Sequence, residues 1–321
     1  VTTPGSLTAE DVRTAHERIR RHLPPTPLRR SHGSGPGAHL KLECWQPTGS
    51  FKVRGALNFL LSFDPDARGV PIVAASAGNH ALGVAFAAQA VGWRGTVTLY
   101  VPRSAPRAKV EKLRRFGVSV VEEGATYEEA QAAASSHARA AGALPVHPFD
   151  DPRTAAGQGT VAVELLHDLP EVATIVVPCG GGGLVAATAV YAKAVRPAVR
   201  IVAVQPEASP SLRESLRSGR PLYEYAAAPT LADGLAGGIG DIVFDHRRLI
   251  DDVVVVSEAE IEETMVALLL EEQLVTEGSG AAGVAAVRAG KVRPLEGPTA
   301  IVVTGANVDA AVLRRLLGER S

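Results

Sequence analysis

"TIVVPCGGGGLVAATAVYAKAV", residues 174–195, decides the fold class. A short unbroken apolar run closed by a turn signal reads as a strand buried on both faces, and the Ala-rich run after it reads as a helix. Four consecutive glycines, Gly180 to Gly183, join the two. Without Cβ atoms, successive backbone N–H groups can converge on one point and admit an anion, and the following helix adds the positive end of its dipole. Phosphate is the natural guest of such a turn. The segment has a second reading. Gly181, Gly183 and Ala186 match G-x-G-x-x-[G/A], "RIVAVQ" supplies a following strand, and Gln205 or Glu207 stands about where a ribose-binding acid belongs. On these residues alone an NAD-dependent oxidoreductase stays open.

The same alternation continues outward. Strand-like runs are "HLKLE", "PIVAAS", "TVTLYVP", "VSVVEE", "TIVVPC", "RIVAVQ", "DVVVVS" and "AIVVTG". Between them lie the helix-like "NHALGVAFAAQAVG", "APRAKVEKLRRFG", "TYEEAQAAASSHARAAG" and "SEAEIEETMVALLLEEQ". Thr8 with Asp11, and Ser257 with Glu260, form capping boxes, and Val12, Ala15, Ile19 and Leu23 share one face of the first helix. "LPPTPL" stops that helix. Near-continuous apolar strands alternating with helices imply parallel sheets covered on both faces, an α/β class. Pro-rich pieces at 24–27 and 145–148, and the loop "AAAPTLADGLAGGIGD", are the expected domain crossings or mobile segments.

Bulk composition narrows the partners. With 33 basic and 34 acidic residues among 321, no global field points to nucleic acid or a membrane surface. Two cysteines, Cys44 and Cys179, without CxxC spacing fit a reducing compartment and no structural zinc. No leader pattern opens the sequence and no apolar run is long enough to span a bilayer, so the expected location is the cytoplasm.

Only six of the 33 basic residues are lysines, and one of them is Lys52 in "PTGSFKVRGA". Arginine stays protonated and cannot act as an amine nucleophile or base, whereas a desolvated lysine can. "SFKVRGA" stands just before or at the start of a helix. "ASAGNHALG" (75–83) and "VVTGANVD" (302–309) each run from a strand towards a helix. Strand ends are where ligands of open α/β sheets collect. Singly, each is also an ordinary cap or bend, with Asn79 as an N-cap and Gly305 as a tight turn.

Together with the glycine loop, "QPTGSFKVRGALN", "SAGNHALG", "HPFDDPRTAAGQGT", "CGGGGL", "TLADGL" and "TGANVD" occur in family order. By these motifs the chain resembles the fold type II pyridoxal-phosphate enzymes, in the branch of threonine/serine dehydratases (ammonia-lyases) and serine racemases, from about residue 26 to "GANVD". The resemblance implies a tryptophan synthase β-like α/β fold of two doubly wound parallel-sheet domains with pyridoxal 5'-phosphate in the cleft between them. It implies a large cofactor domain, 1–69 and 148–321, and a small mobile domain, 70–147, that binds the substrate carboxylate. Lys52 then carries the cofactor as an imine, with Phe51 beside it. Gly180, Gly181, Gly182, Gly183 and Leu184 hold the phosphate, and Asn79 meets the ring hydroxyl. Thr304 faces the pyridine nitrogen and Glu277 the ring edge, while Ser76, Ala77, Gly78, Asn79 and His80 grip the substrate. A neutral hydroxyl opposite the ring nitrogen makes a weaker electron sink than a carboxylate would, which favours prompt loss of a β-leaving group. The implied reaction is β-elimination from L-threonine or L-serine, giving a 2-oxo acid and ammonia, with free Lys52 as the base at Cα and the cofactor phosphate assisting the departing hydroxyl. A racemase or a hydroxyaspartate dehydratase of the same fold is the alternative, and the family's habit of pairing implies a homodimer.

Departures from the family pattern carry expectations of their own. Racemases have a second serine in the asparagine loop, where this sequence has Ala77, and a methyl group transfers no proton. Gln205 and Ser211 stand where cation-binding members have carboxylates, so no metal is expected, with Glu207 the one substitute ligand. The sequence ends soon after "GANVD", so allosteric control by branched-chain amino acids is not expected. Cys44 and Cys179 read as small buried hydrophobes, and His32, His137 and His167 as surface or satisfied histidines. Trp45 and the loop "AAAPTLADGLAGG" are expected to shape the substrate side of the pocket.

Overall fold

The computed structural model describes residues 7–105, 107–292 and 297–318. Helix α1 (Ala9–Ile19) opens on the Thr8–Asp11 capping box and buries Val12, Ala15 and Ile19. The chain then builds two sheets. The larger has the strand order β1-β2-β10-β7-β8-β9, from β1 (Leu28–Arg30), β2 (Ala38–Lys41), β7 (Thr174–Pro178), β8 (Arg200–Pro206), β9 (Asp252–Val256) and β10 (Thr299–Val302). The smaller has the order β5-β4-β3-β6, from β3 (Ile72–Ala75), β4 (Val97–Val101), β5 (Ser119–Glu122) and β6 (Leu144–Pro145).

All pairings are parallel except β1 with β2, an antiparallel edge that the apolar-run reading did not contain. Strand β1, "LRR", is too short and polar to announce itself, and only its bonds to Ala38–Lys41 make it a strand.

Both sheets are covered on both faces, as the near-continuous apolar strands require. Along the larger sheet Val176, Val202, Val204 and Ile301 point to α10 (Glu258–Glu272) and α11 (Gly278–Arg288). Their neighbours Ile175, Val177, Ile201, Ala203 and Val302 point the other way, to α6 (Pro152–Asp168) and α7 (Gly183–Val195). The period of two therefore sorts one run of valines and isoleucines into two cores. In the smaller sheet Ile72, Ala74, Leu99 and Val101 meet α2 (Lys52–Leu61), α3 (Asn79–Ala90) and α4 (Arg107–Arg114). Val73, Ala75 and Tyr100 meet α5 (Tyr127–Ala141). Pro106, within the helix-like run "APRAKVEKLRRFG", lies outside the described residues. Among those residues no helix is long and apolar enough to cross a membrane.

Helices α6 and α11 carry no clear amphipathic stripe, and α11 is buried almost throughout. A helix buried on all sides, rich in glycine and alanine, lacks the polar face that would reveal its period.

Helix α2 is held by a buried cluster of charge. Arg54 Nε and Nη2 donate to the two oxygens of Glu43 at 2.7 and 2.8 Å, and Nη1 and Nη2 donate to those of Glu164 at 2.7 and 2.8 Å. Lys41 Nζ donates to Glu164 at 2.7 Å and to the Thr26 carbonyl at 2.6 Å, and the Thr26 hydroxyl donates to Glu43 at 2.6 Å. Such reach needs a close helix crossing, and glycine supplies it. A Cβ on Gly157 of α6 would meet Gly55 Cα at 2.7 Å and the Arg54 carbonyl at 2.6 Å.

Burial by itself raises the Glu164 carboxyl, but the charges and hydrogen bonds of Arg54, with Lys41, outweigh it and hold the group well below its ordinary 4.5. A folded-state value below the unfolded one contributes stability above pH 4.5 that is lost as pH falls. Urea denaturation across pH 6 to 2.5 should therefore show acid destabilisation that Glu164→Gln diminishes. At neutral pH Arg54→Leu, which strands two buried carboxylates, should cost about 3–5 kcal/mol.

Candidate active site

The carboxyl ends of the strands in the two sheets converge on a cavity of about 1010 Å³. Its walls include Lys52 and Phe51, the turn Ser76–His80 after β3, the glycine loop after β7, Glu277 before α11 and Thr304 after β10. Every residue singled out as a cofactor or substrate contact thus lies on one surface. The Lys52 turn is stitched to the β10 end directly, since Phe51 N donates to the Thr304 carbonyl at 3.1 Å.

The glycine loop leaves no room for side chains. A Cβ on Gly180 would stand 2.9 Å from the Gly234 carbonyl, on Gly181 it would enter the Phe149 ring, and on Gly183 it would meet the Phe149 backbone. Gly182 combines a φ of +94° with contact against Val243 of α9 (Asp241–Asp245), so it is barred to other residues twice over. Leu184 is buried in the first turn of α7, whose N-terminus opens on the cavity. A bare backbone arc ahead of a helix N-terminus fits a phosphate monoester.

Lys52 is the first residue of α2 and half-buried; its Nζ donates to the Pro148 carbonyl at 2.9 Å and sits 5.3 Å from the centre of the Phe51 ring. Burial brings its ammonium down to about 8, with the charge of Glu277 opposing. An amine so placed is neutral often enough near pH 8 to react with an aldehyde or take up a proton. The set of groups therefore fits an aldehyde-bearing phosphate: a reactive amine, an anion cradle and polar groups between them.

Those polar groups are Asn79, Glu277, Thr304 and Ser279. Asn79 heads α3, but Gly78 holds the cap position and the Asn79 side chain does not cap the helix. Its Nδ2 donates instead to Glu277 Oε1 at 2.6 Å. Burial, reinforced by Asp233, pushes the Glu277 carboxyl up to about 7 against the Asn79 hydrogen bond. The buried Thr304 hydroxyl donates to the Ser279 carbonyl at 3.2 Å, and the buried Ser279 hydroxyl has no protein partner. His80 Nε2 lies 2.8 Å from the Val146 carbonyl, which can only accept, so the proton sits on Nε2 and Nδ1 is left without a partner. Burial, followed by Lys52, drives His80 down to about 3 and keeps it neutral. Ser76 Oγ accepts from Gly78 N at 3.1 Å, and Ala77 presents only its methyl group to the cavity.

The structure corrects the expectation for Trp45, a residue that is 57% exposed and outside the cavity wall. The loop 226–238 does reach the cavity, through Ala226, Ala227 and Asp233 to Gly237. Gln205 is buried, its Oε1 accepting from Leu212 N at 3.0 Å and Arg213 N at 3.1 Å, and its Nε2 lying 3.4 Å from Ser211 Oγ. It thus serves α8 (Ser211–Ser218), and neither Gln205 nor Glu207, the two residues considered for a ribose, lines the cavity. Cys44 and Cys179 are buried free thiols pushed up to about 12 by burial. His137 pairs with the Tyr100 hydroxyl at 2.8 Å, and His32 and His167 are exposed. Sequence reasoning missed Phe149, Gln158, Ser279 and Asn307 as cavity residues, although "HPFDDPRTAAGQGT" and "TGANVD" contained three of them.

The family of pyridoxal-phosphate dependent enzymes matches residues 19–305, and the chain belongs to it. It is 41% identical over 319 residues to an L-threonine ammonia-lyase of Thermotoga maritima, across 98% of this chain and 79% of that protein. Among solved structures, maize serine racemase superposes with a TM-score of 0.89 at 32% identity, covering 98% of both chains. A threonine deaminase from T.th. gives a TM-score of 0.87 at 35% identity, covering 94% of this chain and 99% of that one. The protein is thus dependent on pyridoxal phosphate, which removes the NAD reading of the glycine loop.

Labelling of Lys52 by pyridoxal phosphate and borohydride, followed by peptide mapping, should rise with a midpoint near pH 8. A midpoint close to the 10.5 of an exposed lysine would show that the amine is solvated.

Proposed function

We propose that the protein catalyses β-elimination of water from a small β-hydroxy amino acid, L-threonine or L-serine, to give a 2-oxo acid and ammonia. One observation carries this reading: a half-buried, readily neutralised Lys52 amine shares one cavity with the glycine cradle and with a hydroxyl, Thr304, at the β10 end. The similarity to an L-threonine ammonia-lyase across nearly the whole chain supports it.

In this proposal Gly180 to Gly183 and Leu184 bind the cofactor phosphate, Lys52 holds its aldehyde carbon, and Phe51 packs beside it. Asn79 donates to the ring hydroxyl, Thr304 faces the ring nitrogen and Glu277 lies at the ring edge. The backbone and side chains of Ser76, Ala77, Gly78, Asn79 and His80 receive the substrate carboxylate, helped by an imidazole that burial keeps neutral. When bound, pyridoxal phosphate supplies the sink for the electron pair released at Cα. Lys52 Nζ, its place taken by the substrate amine, would take the Cα proton; the Cβ–O bond would break and the hydroxyl would leave as water with a proton from the phosphate side of the site. Hydrolysis of the released enamine gives the 2-oxo acid and ammonia. Thr304, a neutral hydroxyl, would turn its hydrogen from the Ser279 carbonyl to the ring nitrogen and so would not hold a proton there as a carboxylate would, which favours rapid β-elimination over transamination.

Residues 70–147 form the moving lobe in this reading, and 1–69 with 148–321 the static one; residues 1–6, 106, 293–296 and 319–321 of these spans lie outside the described residues. Helix α2 packs against both α3 and α6, and the hinge belongs beside it in this proposal. A cytoplasmic homodimer without a structural cation completes the proposal.

Racemisation is the second reading, favoured by the likeness to serine racemases. Ala77 speaks against it, because no hydroxyl stands there to deliver a proton to the opposite face of Cα. Holoenzyme given L-threonine or L-serine should release 2-oxo acid with little D-isomer, and Ala77→Ser should raise the D-isomer share. Borohydride should fix the cofactor to Lys52 and abolish turnover, and Lys52→Ala should lose about 1000-fold or more in kcat, by the scale of a lost covalent and basic group. Predominant D-serine from the parent protein would overturn the elimination reading.

A further inference from the structure

The cavity wall contains a head-to-tail chain of hydrogen bonds that runs through Asn79 and Glu277 to two residues with no role so far, Asn307 and Lys112. Lys112 Nζ, on α4, donates to Asn307 Oδ1 at 2.6 Å. Asn307 Nδ2 donates to Asn79 Oδ1 at 2.6 Å and to the Thr48 carbonyl at 2.8 Å. Asn79 Nδ2 donates to Glu277 Oε1 at 2.6 Å. Lys112 and Asn79 belong to helices on the smaller sheet, whereas Asn307 and Glu277 follow β10 and precede α11 on the larger. Each bond along the line therefore passes from one sheet's elements to the other's.

The polarity of this chain is determined at both ends of Asn307. An ammonium can only donate, so the group facing Lys112 has to be the Asn307 carbonyl oxygen; a backbone carbonyl can only accept, so the group facing Thr48 has to be the Asn307 amide nitrogen. An amide with both orientations fixed leaves one choice for its neighbour. Asn79 must turn its Oδ1 to Asn307 and its NH₂ to Glu277 and the cavity. Space has been left for this. A Cβ on Gly49, whose φ is +73°, would stand 3.0 Å from Asn307 Oδ1, and one on Gly305 would stand 3.3 Å from Asn79 Nδ2. Ala306 N donates to the Gly49 carbonyl at 2.9 Å, which ties the Asn307 loop to that glycine.

We infer that Asn307 is a positioning residue, which sets the direction of the Asn79 amide and so presents an N–H, not a carbonyl oxygen, to the cofactor ring oxygen. Without Asn307 only Glu277 orients the amide, and where that carboxyl carries a proton it can donate to Asn79 Oδ1, so Asn79 can rotate by half a turn and set its oxygen against the ring oxygen that its N–H should stabilise. The inference deepens the proposed function and rests on the role given there to Asn79.

The test is a double-mutant cycle on protein reconstituted with pyridoxal 5'-phosphate, reading cofactor Kd by fluorescence and the visible absorption spectrum of the bound cofactor, without turnover. Asn79→Ala and Asn307→Ala should each weaken binding about tenfold, the scale of one hydrogen bond, and change the spectrum in the same sense. The double variant should be no worse than Asn79→Ala alone, because Asn307 acts through Asn79. Asn307→Asp, isosteric and still an acceptor for Lys112, has lost the donors and should behave as Asn307→Ala, which keeps the test alive if the alanine variant does not fold. An unchanged spectrum and Kd for Asn79→Ala would sink the role given to Asn79 and this inference with it. A clear Asn79→Ala effect, with Asn307 variants that are silent or additive to it, would overturn this inference alone.

Discussion

Arg54 constrains the rest of the molecule. On an α-helix two residues separated by one other point about 200° apart. With Arg54 anchored by four short bonds to Glu43 and Glu164, Lys52 has to leave α2 on nearly the opposite side, towards the cavity. The anchor draws on β2 through Lys41, on the turn after it through Glu43 and on α6 through Glu164, so the reactive amine is placed by three separate elements. A buried quartet of this kind gives little net stability over a well-packed apolar core, because removing four charges from water is costly. Its directional bonds do what apolar contacts cannot, which is to admit one rotation of the helix and reject its neighbours.

The electrostatics of the cavity follow from that placement. The half-buried lysine is desolvated enough for its ammonium to lose a proton near pH 8, and the buried Glu277 is raised to about 7. The carboxylate opposes the lysine's shift only in part, since hydrogen bonds rather than a direct ion pair connect the walls. Glu277 binds Asn79, Lys52 binds a backbone carbonyl, and Thr304 binds the Ser279 carbonyl. Because the Lys52 amine meets a backbone carbonyl and not a carboxylate, no fixed counter-charge ties it up, and the cavity can still hold a highly polar guest.

Sequence patterns made much of this legible. The eight apolar runs quoted became strands of the two sheets, and the order of motifs brought Lys52, the asparagine turn, the glycine loop, Glu277 and Thr304 to one cavity. Others escaped notice for particular reasons. Strand β1 is three residues of mixed polarity, α11 hides its period because every side is buried, and Trp45 offers an aromatic ring that nothing local directs inward or outward. Asn307 sat in a quoted motif and Ser279 two residues after Glu277, but neither had a visible task, since a side-chain amide or hydroxyl reveals its role only through the partner it meets.

What the sequence determined by itself is what short-range physics dictates: the parity of valines along each strand, the turns that only glycine permits, the helix caps, and a lysine at a helix start in a chain that otherwise prefers arginine. Tertiary structure alone decided who meets whom. Arg54 and Glu164 are 110 residues apart, Asn79 and Glu277 are 198, and Asn79 and Asn307 are 228. Backbone sterics and side-chain period act within a few residues, so they specify elements. The partner of a buried charge or amide is set by how those elements cross, and that depends on the packing of the whole chain.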